Sequence, residues 1–158
     1  MANYLPLMLS IVPVFGSIYF AIAVLLFLWL KRDKKLALNF VIAFIATNAI
    51  VYGLKFLLQI PRPASEPLSP SAPFYDTSFP SGHASRAFLY MAFLSQKFDK
   101  LFMLVSYILA ILVGVSRVVS GKHTAIDVAA GSIIGLAASW LFIKYQKEIF
   151  KKLGLNIV

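Results

Sequence analysis

The sequence predicts an all-α integral membrane protein: a helical bundle of about five transmembrane helices plus a short N-terminal interfacial helix. Three observations predict it. Sixty per cent of the residues are hydrophobic, 13% are charged, and the mean hydropathy is +0.83. A soluble chain of 158 residues cannot hide that much apolar surface. The apolar residues also form segments close to the roughly twenty residues of one bilayer crossing. Finally, the basic residues cluster between alternate segments. The net charge of +9 would also suit a nucleic-acid binder. At this hydropathy it reads instead as the positive-inside bias of a membrane protein, with no nucleic-acid partner. The absence of cysteine excludes disulfides and thiolate chemistry.

Residues 1–30 carry no charged side chain and lack the basic start and small-residue cleavage site of a signal peptide. Pro13 and Gly16 divide them into a short interfacial helix, Asn3 to Phe15, and the core of a first span, Ser17 to Leu30. Leu36 to Leu58 reads as a full span, Gly82 to Gln96 as a short one, and Leu101 to Val119 and Thr124 to Tyr145 as two more. Helices are expected because a lipid-facing backbone must satisfy its own hydrogen bonds. The third is too short for a crossing: about fifteen residues at 1.5 Å each give roughly 22 Å against a hydrocarbon thickness of roughly 30 Å. Its outer end then starts below the membrane surface. Gly131 and Gly135 form a G-x-x-x-G pair in the last span, read as close helix packing. Residues 61–80 hold six of the eight prolines and read as an extended, semi-rigid loop, either a connector or a lid. The whole chain, 1–158, is expected to form one membrane-embedded domain.

Charge orients the bundle. Lys31, Arg32, Lys34, Lys35, Lys97, Lys100, Lys144, Lys147, Lys151 and Lys152 fall on one side, expected to be cytoplasmic. The other five cations are Lys55, Arg62, Arg86, Arg117 and Lys122. They lie toward the outer face, where that rule gives them no reason to be. His83 and His123 lie there too. Polar groups at the mouths of membrane-length segments are costly and are expected to serve chemistry.

Three clusters carry them: "KFLLQIPRP" with Lys55 and Arg62, "PSGH" from Pro80 to His83, and "SRVVSGKHTAID" with Ser116, Arg117, His123 and Asp127. Each lies at the outer end of a span, so a bundle can bring them together as a phosphate site. Lys55, Arg62 and Arg117 supply positive charge, and the arginine fork suits phosphate oxygens. Ser81 reads as the N-cap of the third span, leaving the Gly82 and His83 amides at a helix N-terminus that favours anions. His123 and Asp127 are spaced i, i+4, so they share a helix face if the helix includes His123. Asp127 can then accept a proton from one ring nitrogen and leave the other free to attack phosphorus. His83 remains to protonate the leaving oxygen. Bland readings stand beside these: Asp127 as half of a capping box with Thr124, and Arg117 as a snorkelling cation.

The three clusters resemble the signature of the type-two phosphatidic acid phosphatase superfamily. That signature is Lys, six residues, Arg-Pro; then Pro-Ser-Gly-His; then Ser-Arg, five residues, His, three residues, Asp. Every fixed position is matched between Lys55 and Asp127. The resemblance implies a membrane lipid phosphatase without metal or other cofactor. It implies His123 as the nucleophile that becomes phosphohistidine, Asp127 as its orienting partner and His83 as the general acid. Lys55, Arg62, Ser81, Gly82 and Arg117 are implied to bind phosphate; Ser116 matches without an assigned role. Thr124 and Ala125 follow the nucleophile where many members carry an aromatic residue, which leaves the subfamily open.

The expected function is hydrolysis of a lipid phosphate or diphosphate at the outer leaflet, with polyprenyl diphosphate leading. Phosphatidylglycerophosphate or phosphatidate hydrolysis, lipid phosphotransfer, and non-enzymatic lipid binding or transport are the alternatives. Arg86 and Lys122 lie outside the signature. They are read either as cations that snorkel or pair with Glu66 or Asp76, or as ligands of a second phosphate.

Overall fold

A computed structural model describes residues 5–63 and 77–154. The described residues form helices, and the only β-type pairing among them is an isolated bridge between Pro61 and Thr77. Helix α1 (Leu5–Ile11) runs into a 3₁₀ turn (Val12–Gly16). Helix α2 (Ile18–Leu30) follows at a bend of 54°. The break falls where Pro13 and Gly16 predict it, and Ser17 caps α2 by accepting from the Phe20 amide. Then come α3 (Lys34–Leu58), α4 (Gly82–Leu94), α5 (Lys100–Val119), α6 (Ala125–Lys144) and a short α7 (Gln146–Lys152). Helix α7 carries Lys147, Lys151 and Lys152, which the sequence reading used only as part of the basic side. The expected proline-rich loop lies, for residues 64–76, outside the described residues.

The count of five spans is corrected. Among the described residues three helices, α3, α5 and α6, are long and apolar enough to cross a bilayer, with a fourth crossing if the bent α1–α2 pair is one span. Helix α4 has 13 residues, or about 20 Å. All its residues except His83 and Phe88 are buried. It is the central post of the bundle, packed by α3, α5, α6 and the N-terminal 3₁₀ turn. Its apolar residues face protein rather than lipid. The outer helices do the reverse and present Ile45, Ile50, Leu104, Ile108, Ile111, Ile126 and Ile133 outward.

Interhelical polar bonds fix the arrangement where lipid-like interiors give little hydrophobic discrimination. The Asn39 side-chain amide donates to the Phe142 carbonyl at 2.8 Å, tying the start of α3 to the end of α6. Lys97 pairs with Asp33. The basic residues of 31–35, 97–100 and 144–152 therefore share one end of the bundle. Asp33 also caps α3 by accepting from the Leu36 amide at 2.8 Å, so the helix begins two residues before the expected Leu36. Tyr90 at the core stacks among Phe40 and Phe44 and donates its hydroxyl to the Ser17 carbonyl at 3.0 Å.

Candidate active site

At the opposite end, the termini of α3, α4 and α5 and the turn into α6 converge. Helix α3 ends on Gln59 in the left-handed region (φ 46°), which turns the chain back over Lys55. The Ser78 amide donates to the Ile60 carbonyl at 2.7 Å. Lys55, itself buried, donates to the Thr77 carbonyl. Residues 77–78 thus form a strap across the end of α3.

Ser81 caps α4 as expected: its hydroxyl accepts from the Ala84 amide at 3.4 Å. Its own amide donates to the Asp127 carbonyl at 2.9 Å, which joins α4 to α6. After α5, Gly121 takes a positive φ of 68°, a conformation that costs a side chain dearly. That turn lets both the Lys122 and His123 amides donate to the Arg117 carbonyl at 3.2 Å. His123 is delivered into the site by this turn and not by a helix, which corrects the picture of a shared helical face with Asp127.

Asp127 has the capping role weighed for it, and it stands near His123 without a hydrogen bond to it. It forms a capping box with Thr124, accepting from the Thr124 amide at 2.6 Å while its own amide donates to the Thr124 hydroxyl at 3.2 Å. The same carboxylate oxygen, Oδ2, lies 3.8 Å from His123 Nδ1. That is too long for a hydrogen bond. Nδ1 is buried and has no other partner among the described residues. Burial, reinforced by the charges of Lys55, Arg117 and Arg62, pushes the pKa of the His123 imidazole down to about 4, so it is neutral at neutral pH.

A cavity of about 100 Å³ opens here, lined by Val51, Tyr52, Lys55, Arg62, Gly82, His83, Arg86 and His123. The three clusters therefore meet. Ser81, Arg117 and Asp127 stand behind the lining, all buried. Arg117 Nε has no partner among the described residues, so a buried guanidinium edge is left to bind something. Ser116 donates to the Val113 carbonyl of its own helix at 2.7 Å and does not reach the cavity.

The two extra cations part company. Arg86 is 5% exposed. Its Nε donates to the Gly16 carbonyl at 2.9 Å and its Nη1 to the Asn48 side-chain oxygen at 3.2 Å. It is anchored inside the cavity wall and does not snorkel. Lys122 is exposed and outside the lining. Their suggested partners Glu66 and Asp76 lie outside the described residues. Asn48, Gly16, Thr77 and Ser78 are site contacts that sequence reasoning missed. Only Thr77 and Ser78 had a signal, as hydroxyl residues directly preceding Phe79 and the Pro-Ser-Gly-His cluster. Among the described residues, no three His, Asp or Glu side chains gather as a metal site.

Buried cations and two histidines at one end of an apolar helical bundle define a membrane protein with a cation-rich polar site. The PAP2 superfamily model matches residues 36–151, and the chain belongs to that superfamily. It is 35% identical over 107 residues to phosphatidylglycerophosphatase B of Bacillus subtilis, covering 61% of this chain and 51% of the relative. It is 34% identical over 129 residues to undecaprenyl-diphosphatase of Sulfolobus acidocaldarius, covering 78% and 60%. The crystal structure of Aquifex aeolicus LpxE superposes with a TM-score of 0.78 at 26% identity, covering 92% of this chain and 88% of that one. The chain spans about half to three fifths of the length of these two curated relatives.

Proposed function

We propose that this protein is a membrane lipid phosphatase that works without a metal and hydrolyses a polyprenyl diphosphate through a phosphohistidine. The carrying observation is the single cavity where Lys55, Arg62, Arg86, His83 and His123 meet at the N-terminus of α4. Cations and a helix N-terminus suit a phosphate and repel a divalent metal. In the proposed reaction, His123 Nε2 attacks phosphorus while the Asp127 carboxylate accepts a hydrogen bond from Nδ1–H, which stays on the ring. The bond to the leaving oxygen breaks, and His83 protonates that oxygen; burial and the nearby cations Arg117 and Arg86 lower its pKa to about 3, so the negative charge of the bound phosphate has to raise it for His83 to enter the step as the imidazolium. Water then attacks the phosphohistidine, giving up its proton to His83, and inorganic phosphate leaves. Lys55, Arg62, Ser81, Gly82 and Arg117 hold the phosphate oxygens throughout. The names of the relatives, one a phosphatidylglycerophosphatase and one an undecaprenyl-diphosphatase, support the substrate class.

The diphosphate assignment rests on Arg86, whose two anchoring bonds fix a further cation in the cavity wall. Phosphate release from purified protein over a panel of lipid monophosphates and diphosphates, in excess chelator, tests the proposal. Turnover is expected to survive chelation and to favour diphosphates. The double change Arg86→Gln with Lys122→Gln is expected to cost diphosphates about ten- to a hundredfold, the weight of one charge-assisted hydrogen bond, and monophosphates far less. Activity restored only by magnesium or zinc would defeat the metal-free chemistry. Equal losses on both classes would defeat the diphosphate assignment.

We also propose that the site faces the extracytoplasmic side of the cell membrane and that the whole chain is one domain. The clustering of ten basic residues at the other end supports the orientation. A cysteine placed within residues 64–76 is expected to react with an impermeant thiol reagent on intact cells, and one at Lys151 is not. The reverse labelling would turn the site to the cytoplasm.

A further inference from the structure

We infer that Ser78 is a positioning residue for this site, holding the Asp127 carboxylate in place for His123; the inference rests on the phosphohistidine reading above. Ser78 is 1% exposed, and its hydroxyl donates to Asp127 Oδ2. The Thr124 amide donates to the same oxygen. Both donors hold the same oxygen, Oδ2. They arrive from different directions, one from the strap after α3 and one from the turn before α6. The carboxylate is thereby fixed facing the imidazole, whose unpartnered Nδ1 stands 3.8 Å away. Closing that gap to hydrogen-bond distance takes about 1 Å of ring movement.

The strap that carries Ser78 is itself over-determined. Its amide donates to the Ile60 carbonyl at 2.7 Å. Lys55 holds the Thr77 carbonyl beside it. Pro61 pairs with Thr77. The end of α3, which carries the first signature cluster, is thus mechanically linked through Ser78 to the acid of the third cluster. Thr124 alone would leave Asp127 a capping residue; the hydroxyl of Ser78 is what adds a second, non-local restraint on the oxygen nearest His123.

Steady-state turnover, thermal unfolding in detergent and a double-mutant cycle test this. Ser78→Ala is expected to lower kcat about ten- to a hundredfold, with KM and the melting temperature near parental. In a background of Asp127→Asn, the same change is expected to cost nothing further, because the group it positions is gone. A parental kcat for Ser78→Ala, or an equal further loss in the Asp127→Asn background, would overturn the inference. Should the alanine variant not fold, Ser78→Cys keeps the shape with a much weaker donor: a lowered kcat at parental stability supports the role, and a parental kcat overturns it. The lipid phosphatase reading is judged separately, by whether the parent releases phosphate at all.

Discussion

His123→Ala abolishes turnover, by at least about 10⁴-fold, and forms no phosphoenzyme when labelled substrate is added and the reaction is quenched. The expectation follows from where the imidazole sits. It is 4% exposed, lines the cavity, and is kept neutral by burial and by Lys55, Arg117 and Arg62. The other imidazole in the lining, His83, has no carboxylate within ion-pair distance among the described residues. His83→Ala should behave differently. Losing a general acid costs about 10²- to 10⁴-fold, so a slow first half-reaction remains and labelled phosphohistidine still appears. A normal rate in His123→Ala would sink the mechanism. Labelling lost in His83→Ala but kept in His123→Ala would exchange the two roles.

Much of this site was legible because its chemistry is written in side-chain types. Lysine, arginine and histidine at the mouths of apolar segments have few other uses, and their spacing placed them at one end of the bundle. The N-cap of Ser81 and the break at Pro13 and Gly16 are local rules, and the structure follows them. What stayed hidden is non-local. The burial of Arg86 depends on the Gly16 carbonyl and on Asn48, far away in the chain, so its sequence neighbours carried no trace of it. Hydropathy counts a segment without asking what covers it. It took α4 for a membrane span, whereas that helix is sheathed by other helices and is 13 residues long. Lys34 and Lys35 looked like loop because they are charged, yet Asp33 caps the helix they begin.

Gly131→Val is expected to be the most damaging change outside the catalytic set. Helix α6 meets α4 through Gly131 and Gly135. A side-chain carbon at Gly131 would press on the Ser81 carbonyl, and one at Gly135 on the Ser85 carbonyl. Both obstacles are backbone, so no rotamer change relieves them. Overpacking of this kind costs about 1–3 kcal/mol and sometimes more. The loss of turnover should exceed the loss of stability. Ser81 caps α4 and its amide holds the Asp127 carbonyl at 2.9 Å, so pushing the helices apart displaces the amides at the start of α4 and the Asp127 carboxylate together. A misplacement of about 1 Å in such a site costs on the order of a hundredfold. Gly53→Ala is the control. It sits in the middle of α3 with nothing within 4 Å of an added methyl. Alanine there should leave turnover unchanged and raise stability slightly, by up to about 1 kcal/mol from helix propensity. Turnover and thermal unfolding of both variants in the same detergent decide the matter. A Gly131→Val protein with parental melting and parental turnover would show that the two helices do not meet at this glycine.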